Sequence, residues 1–171
     1  MNKILTILLP IIIFIACKSD KEKSNEKFVA LVENENINSF INVEYIIDGE
    51  NETYHYFKGD TLFTSWEFDN TANRFENYNI EKMKVLSVLP TKYMELLKNK
   101  IKSLNIIMIS QTQWHSQVIK FWTGDAEYFT YLHPDFKFDS AEKTVLKNEL
   151  KNSDKINENW YHKKMKVCTN K

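Results

Sequence analysis

The stretch INVEYIIDGENETYHYFKGDTLFTSWEF, residues 41–68, holds three runs rich in β-branched and aromatic side chains, separated by Gly49 and Gly59. Such runs suit a pleated sheet surface, and glycine supplies the positive φ that tight hairpin turns require. INVEYII (41–47), TYHYFK (53–58) and TLFTSWEF (61–68) are therefore predicted to be successive antiparallel strands. The pattern recurs where Gly124 separates SQVIKFW (116–122) from EYFTYL (127–132). Gly-Asp pairs at 59–60 and 124–125 are turn formers. Ile106 to Ile109 adds a short apolar strand, Arg74 to Ile80 a weaker polar one, and KINENWYHKKMKV (155–167) a last strand around Trp160.

Two helices stand between these strands. From Thr91 to Leu104, Met94, Leu97, Ile101 and Leu104 recur at helical spacing, with Pro90 before the start and Thr91 placed to cap it. Residues 139–152 begin at Asp139 with Glu142 three positions on, an approximate capping box, and carry Val145, Leu146 and Leu150 on one stripe. A third helix over 27–38 would place Phe28, Leu31 and Val32 on one face. Strands joined by tight turns, with helices grouped between strand sets, predict an α+β fold: an antiparallel sheet built from hairpins and packed by two or three helices.

The 171 residues are enough for one ordinary domain, and 23 basic side chains balance 23 acidic ones. Nucleic-acid binders carry a basic excess to neutralise phosphates, so no nucleic-acid partner is expected. Arg74 is the only arginine, which leaves bidentate guanidinium clamps almost without material, and three glycines leave none for a glycine-rich phosphate loop. With 43% hydrophobic residues the chain has the means to build a core.

The first residues, MNKILTILLPIIIFIAC, combine Lys3, an apolar run from Ile4 to Ala16, and Cys17, followed at once by the polar KSDKEKSNEK. The apolar run is shorter than the roughly 20 residues of a spanning helix and fits the core of a secretory signal peptide. Ordinary signal peptidase prefers small residues at the first and third positions before its cut. Cleavage after Ser19 would meet that rule, with Cys17 lost in the discarded peptide. Alternatively, Phe14-Ile15-Ala16-Cys17 resembles the lipobox of bacterial lipoproteins, although leucine is usual where Phe14 stands. That resemblance covers residues 1–17 and implies that Cys17 becomes the acylated first residue of the mature protein, bearing diacylglycerol and palmitate-like chains. Two or more chains suffice for stable anchoring. Asp20 and Glu22 resemble the acidic export signal of surface lipoproteins in the Bacteroidota, so the implied place is the outer membrane, either periplasm-facing or surface-exposed.

The expected organisation is a signal peptide (1–16), the lipidated cysteine and a flexible tether (17–27), one α+β domain (28–167) and a C-terminal tail (168–171). Removal of Lys3 with the leader leaves 22 basic and 23 acidic residues, so electrostatics gives the mature chain no grip on an anionic surface. Cys168 has no partner once Cys17 is acylated, and reads as a cysteine in a frayed tail.

Catalytic signatures are absent from the sequence. His55, His115, His133 and His162 lie far apart, without metal-ligand spacing, and no serine occupies a Gly-x-Ser-x-Gly elbow. Glu76, Asp125 and Glu127 could supply a carboxylate pair only by folding together. No metal, cofactor or enzymatic activity is expected, a small hydrolase being the remotest reading. The distinctive feature is the density of rings on the strands. Tyr54, Tyr56, Trp66, Trp122, Tyr128 and Tyr131 are the candidate members of an aromatic binding face, if one face of the sheet is open. The functional expectation is a lipid-anchored, non-enzymatic envelope protein that binds a protein or glycan partner. An inhibitor or immunity-type lipoprotein and an accessory subunit of an outer-membrane assembly are the alternatives.

Overall fold

The computed structural model describes residues 19–48, 50–58, 61–77, 91–111, 117–140 and 143–165. The leader, Cys17, Gly49, Gly59 and Cys168 lie outside these residues, as do the predicted lipobox members Phe14, Ile15 and Ala16. The predicted runs form β1 (Val43–Asp48), β2 (Asn51–Lys58), β3 (Thr61–Asp69), β4 (Arg74–Asn77), β5 (Met108–Gln111), β6 (Val118–Gly124), β7 (Glu127–Leu132), β8 (Asp154–Lys155) and β9 (Trp160–Lys164). The helices are α1 (Asp20–Asn34), α2 (Thr91–Ser103) and α3 (Thr144–Lys151), with a short 3-10 turn at Ile37–Ser39. The fold is α+β. Among the described residues one sheet runs in the order β4-β3-β2-β1-β5-β6-β7-β9-β8, and every pairing is antiparallel.

Two meanders meet where β1 lies against β5, with Tyr45 opposite Ile109. α2 makes the connection between them, leaving the β4 edge side and returning to the centre of the sheet. Register places Tyr45, Tyr54, Trp66 and Phe68 on the same face as Ile109, Phe121, Phe129, Tyr131 and Trp160. α1 and α2 cover that face with Val29, Val32, Met94, Leu97 and Ile101, and the result is the main core. The opposite face carries a smaller core under α3, where Leu146 and Leu150 pack with Val118, Leu132 and Phe136.

α1 starts earlier than the sequence reading expects, so the stretch assigned to a flexible tether is helical from Asp20. Ser19 and Glu22 form a reciprocal capping box that satisfies two of the free amides at the helix start. Asn25, Val29 and Val32 then recur on the buried side, and Phe28 stacks on Phe129 with ring centroids 4.1 Å apart. α3 starts later than expected, at Thr144. Asp139 does not cap it; its carboxylate accepts from Lys143 Nζ at 2.9 Å.

Gly124 also departs from the reading. It ends β6 at a shift of register and has no positive φ. The described left-handed residues are asparagines: Asn36, Asn42, Asn73 and Asn105. Asparagine tolerates this region better than other residues with a side chain. At the end of α2, Asn105 N–H donates to Lys102 O and Ile106 N–H to Ile101 O, both at 3.1 Å. That pair of bonds is a Schellman closure, with buried Ile106 and Ile101 as its apolar contact. Asn105→Gly is expected to hold or raise stability in urea unfolding. Asn105→Val should lower it by about 1–2 kcal/mol, because a β-branched residue is strained there.

Between α2 and β2 lies a buried ionic cluster. Glu52 accepts from Tyr54 Oη at 2.7 Å and from Lys102 Nζ at 3.0 Å, while Lys98 Nζ sits 3.9 Å from it and over the Phe68 ring. Burial pushes the Lys98 amine down to about 8, against the pull of Glu52. Burial and Glu52 push the Tyr45 phenol up to about 12, and Tyr54 higher still. A lysine with a depressed folded pKa binds fewer protons folded than unfolded, so stability gains from rising pH between about 8 and the unfolded value near 10.5. A tyrosine with a raised folded pKa acts in the opposite sense, and its contribution is lost as pH climbs past about 10. Stability is therefore expected to rise gently above pH 8 and fall beyond pH 10, and Lys98→Met should abolish the rise while keeping the fall. Thermal melts across that range check both.

Candidate functional site

Strand alternation puts one set of side chains under the helices and the next set on the far side. On the far side, α3 covers only the β6-β7-β9 portion. The portion built from β1, β2, β3 and β5 presents Glu44, Ile46, Thr53, His55, Glu67 and Met108, all half-buried. Among the described residues, neither core includes Ile46, Met108 or Trp122. Among the described residues no helix lies over this half of the sheet, and this uncovered half is the candidate site.

Its chemistry is mixed. Glu44, His55 and Ser65 stand directly opposite one another on three adjacent strands. His55 Nδ1 and Ser65 Oγ are 2.9 Å apart. Burial lowers the His55 pKa, and Glu44 partly restores it. A base hydrogen-bonded to a hydroxyl is one requirement of nucleophilic catalysis. Ser65 is only 3% exposed, and the strand amides around it are engaged in the ladder, where they are not free to stabilise an oxyanion.

Toward the β6 side, Trp122 Nε1 donates to Ser110 Oγ at 3.0 Å and its ring lies 4.5 Å from that of Tyr128. Tyr128 Oη in turn donates to Glu149 Oε1 at 2.5 Å, and Lys120 Nζ reaches the same carboxylate at 2.9 Å. Burial raises the Glu149 pKa, but these two donors outweigh it and hold the carboxyl below its ordinary value. The network ties α3 to the sheet and marks where its cover ends. Below it a groove of about 600 Å3 opens between Ile46, Ile47, Ile107, Met108, Trp122 and Met165.

The six rings expected to share a binding face are distributed differently. Tyr54, Trp66 and Tyr131 lie in the main core, 1%, 4% and 8% exposed. Tyr56 packs half-buried against the same core, and Tyr128 is buried beneath α3. Only Trp122 of the six reaches the uncovered half. The aromatic row faces inward because the two long helices take the face on which Tyr54 and Trp66 lie. Alternation shows that Tyr54 and His55 oppose each other, but not which of them the helices will cover.

The chain shows no significant match to any protein-family model, curated protein or solved structure. The site therefore has to be read from its own residues.

A second polar cluster lies at the start of α1. A cleft of about 610 Å3 is lined by Lys21, Asn25, Asp154 and Lys155, and Lys21 Nζ bonds Asp154 at 2.9 Å. Behind it, fully buried His162 has Nε2 2.7 Å from Glu127 and Nδ1 3.6 Å from Asp154. Among the described residues, no group of three His, Cys, Asp or Glu side chains could hold a metal ion. The carboxylates named from sequence do not assemble at one place either, since Glu127 is engaged by His162 and Asp125 lies exposed in the β6–β7 turn. Glu76 stands opposite Glu67 in the β3–β4 register.

The direction of the His55 shift gives a test of the site's electrostatics. In an NMR titration His55 should lose its proton below the ordinary histidine value near 6.5. Glu44→Gln should lower its midpoint further, because removing that carboxylate leaves burial unopposed.

Proposed function

We propose that this is a lipid-anchored protein of the bacterial cell envelope, held at the outer membrane by acyl chains on Cys17, that binds a partner protein without catalysing a reaction. The observation that carries the binding half of this reading is the uncovered part of the sheet, where Ile46, Met108 and Trp122 belong to neither core. A glycan platform would call for several rings lining a concave pocket, whereas here one indole stands beside aliphatic side chains in an open groove. A shallow surface of mixed aliphatic and polar groups fits a protein partner better. An inhibitor or an accessory subunit of an outer-membrane assembly would use such a surface equally well, and both belong to this reading.

The anchoring half rests on the Phe14-to-Cys17 motif at the boundary between an apolar run and a charged segment. Among the described residues no helix is long and apolar enough to cross a membrane. A near-neutral mature chain lacks a charge-based route to the bilayer, and acylation of Cys17 would supply an attachment.

Metabolic labelling with a clickable fatty acid should mark the native protein and leave Cys17→Ala unmarked; equal labelling of both would reject the anchor. For the binding surface, a photo-crosslinking residue placed at Ile46 should trap an envelope protein in cells. The same residue at Val145, which is 75% exposed on the outer side of α3, should not. Equal trapping at both positions would mean that the uncovered half has no special role.

A further inference from the structure

Strand register sorts the charges of this chain by face. Tyr45 lies opposite Ile109 across the β1–β5 seam, so in this antiparallel pair Glu44 falls opposite Ser110 and Ile46 opposite Met108. With the neighbouring strands, one row across the uncovered face reads Glu67, Thr53, Ile46, Met108, Trp122, and the next reads Ser65, His55, Glu44, Ser110, Lys120. At a strand spacing of about 4.8 Å, Ile46, Met108 and Trp122 make an unbroken apolar strip about 10 Å long. Glu67 ends that row on the β3 side, and Glu44 lies about 7 Å from Ile46 along β1. Asp125, exposed just past β6, lines the same groove as Ile46 and Trp122.

The cations that could balance these carboxylates are committed or lie elsewhere. The Lys120 ammonium donates to Glu149 Oε1 and Oε2 at 2.9 and 3.1 Å. Arg74 stands opposite Asp69 in the β3–β4 register, whereas Glu67 stands opposite a second glutamate, Glu76. His55 adds no positive charge at neutral pH, because burial lowers its pKa. α2 carries Lys92, Lys98, Lys100 and Lys102 on the opposite face, where Lys98 and Lys102 meet the buried Glu52. Among the described residues, neither Glu44 nor Glu67 forms an ion pair. A chain that is neutral as a whole therefore presents carboxylates without cations around its apolar strip.

We propose that the uncovered half of the sheet docks a basic protein segment, with an apolar side chain set on Ile46, Met108 and Trp122 and flanking lysine or arginine side chains reaching Glu44 and Glu67. The inference rests on the partner-binding reading above and names the chemistry of that partner. The two kinds of group act differently. Half-buried carboxylates steer a basic partner during encounter and fix its register, while the apolar strip slows its departure. An acidic partner would set like charges against Glu44 and Glu67 and be refused. A second copy of the chain, meeting this face with its own, would bring more carboxylates and no spare cation.

The test uses the full-length protein in a neutral maltoside detergent and two fluorescein-labelled peptides, Lys-Ile-Lys-Trp-Lys-Ile-Lys and its counterpart with glutamate for every lysine. Fluorescence anisotropy should show the lysine peptide binding at least about tenfold more tightly, and less so as salt is raised. Glu44→Gln together with Glu67→Gln should weaken it about fivefold or more and flatten the salt dependence. Ile46→Ser should weaken it with the salt dependence kept. If Ile46→Ser unfolds the domain by circular dichroism, the double variant alone decides. Equal affinity for the two peptides, binding of neither, or lysine-peptide binding unchanged in the double variant overturns the basic partner. The photo-crosslinker at Ile46 in cells scores the underlying reading separately. Trapping that persists undiminished in the double variant leaves partner binding standing and removes its basic character, and trapping no stronger than at Val145 overturns both.

Discussion

The fold depends on the seam between β1 and β5. Most neighbouring strands of the sheet follow one another in sequence; β7 pairs β9 across α3, and the seam joins the two neighbours that lie farthest apart in the chain. Tyr45 and Ile109 face each other there, both almost fully buried. Gln111 reinforces the junction from the side: its amide reaches the carbonyls of Phe40 and Val43 and so stitches the entry of β1 to β5. Fixing the seam costs loop-closure entropy across α2 and its connections, and the burial of Met94, Leu97 and Ile101 over both meanders offsets it.

Once the seam is set, the division between the two faces follows. The long helices take the face of Tyr54, Trp66, Phe121 and Trp160, and the shorter α3 takes part of the other. A nine-stranded sheet is wider than α3 can cover, so half of the second face has no helix from the described chain. The candidate site is thus a remainder of packing geometry. Its hydrogen bonds, His55 with Ser65 and Trp122 with Ser110, keep polar groups satisfied on a surface that is only half solvated.

Much of this was legible in the sequence, for physical reasons that differ element by element. The hairpins were readable because glycine interrupts runs of β-branched and aromatic residues, even though Gly124 turned out not to need a left-handed backbone. α2 was readable from four apolar residues at helical spacing. α1 was only half readable, because its first turns are lysine, glutamate and asparagine; the overlooked signal was Ser19 followed by Glu22, a capping box two residues after a cysteine that had drawn attention to itself. The aromatic face was misplaced for a deeper reason. Alternation pairs Tyr54 with Tyr56 and His55 with Thr53, but the choice of covered face is made by helices far away in sequence. The groove lined by Ile47, Ile107 and Met165 was invisible for the same reason, since its members come from three separate segments.

β8 consists of two residues, Asp154 and Lys155, both exposed, and it forms one border of the sheet. So short and so fully charged a border gives a second chain almost no backbone to pair with. The sheet is thereby kept from recruiting neighbours and growing into a fibre along that side.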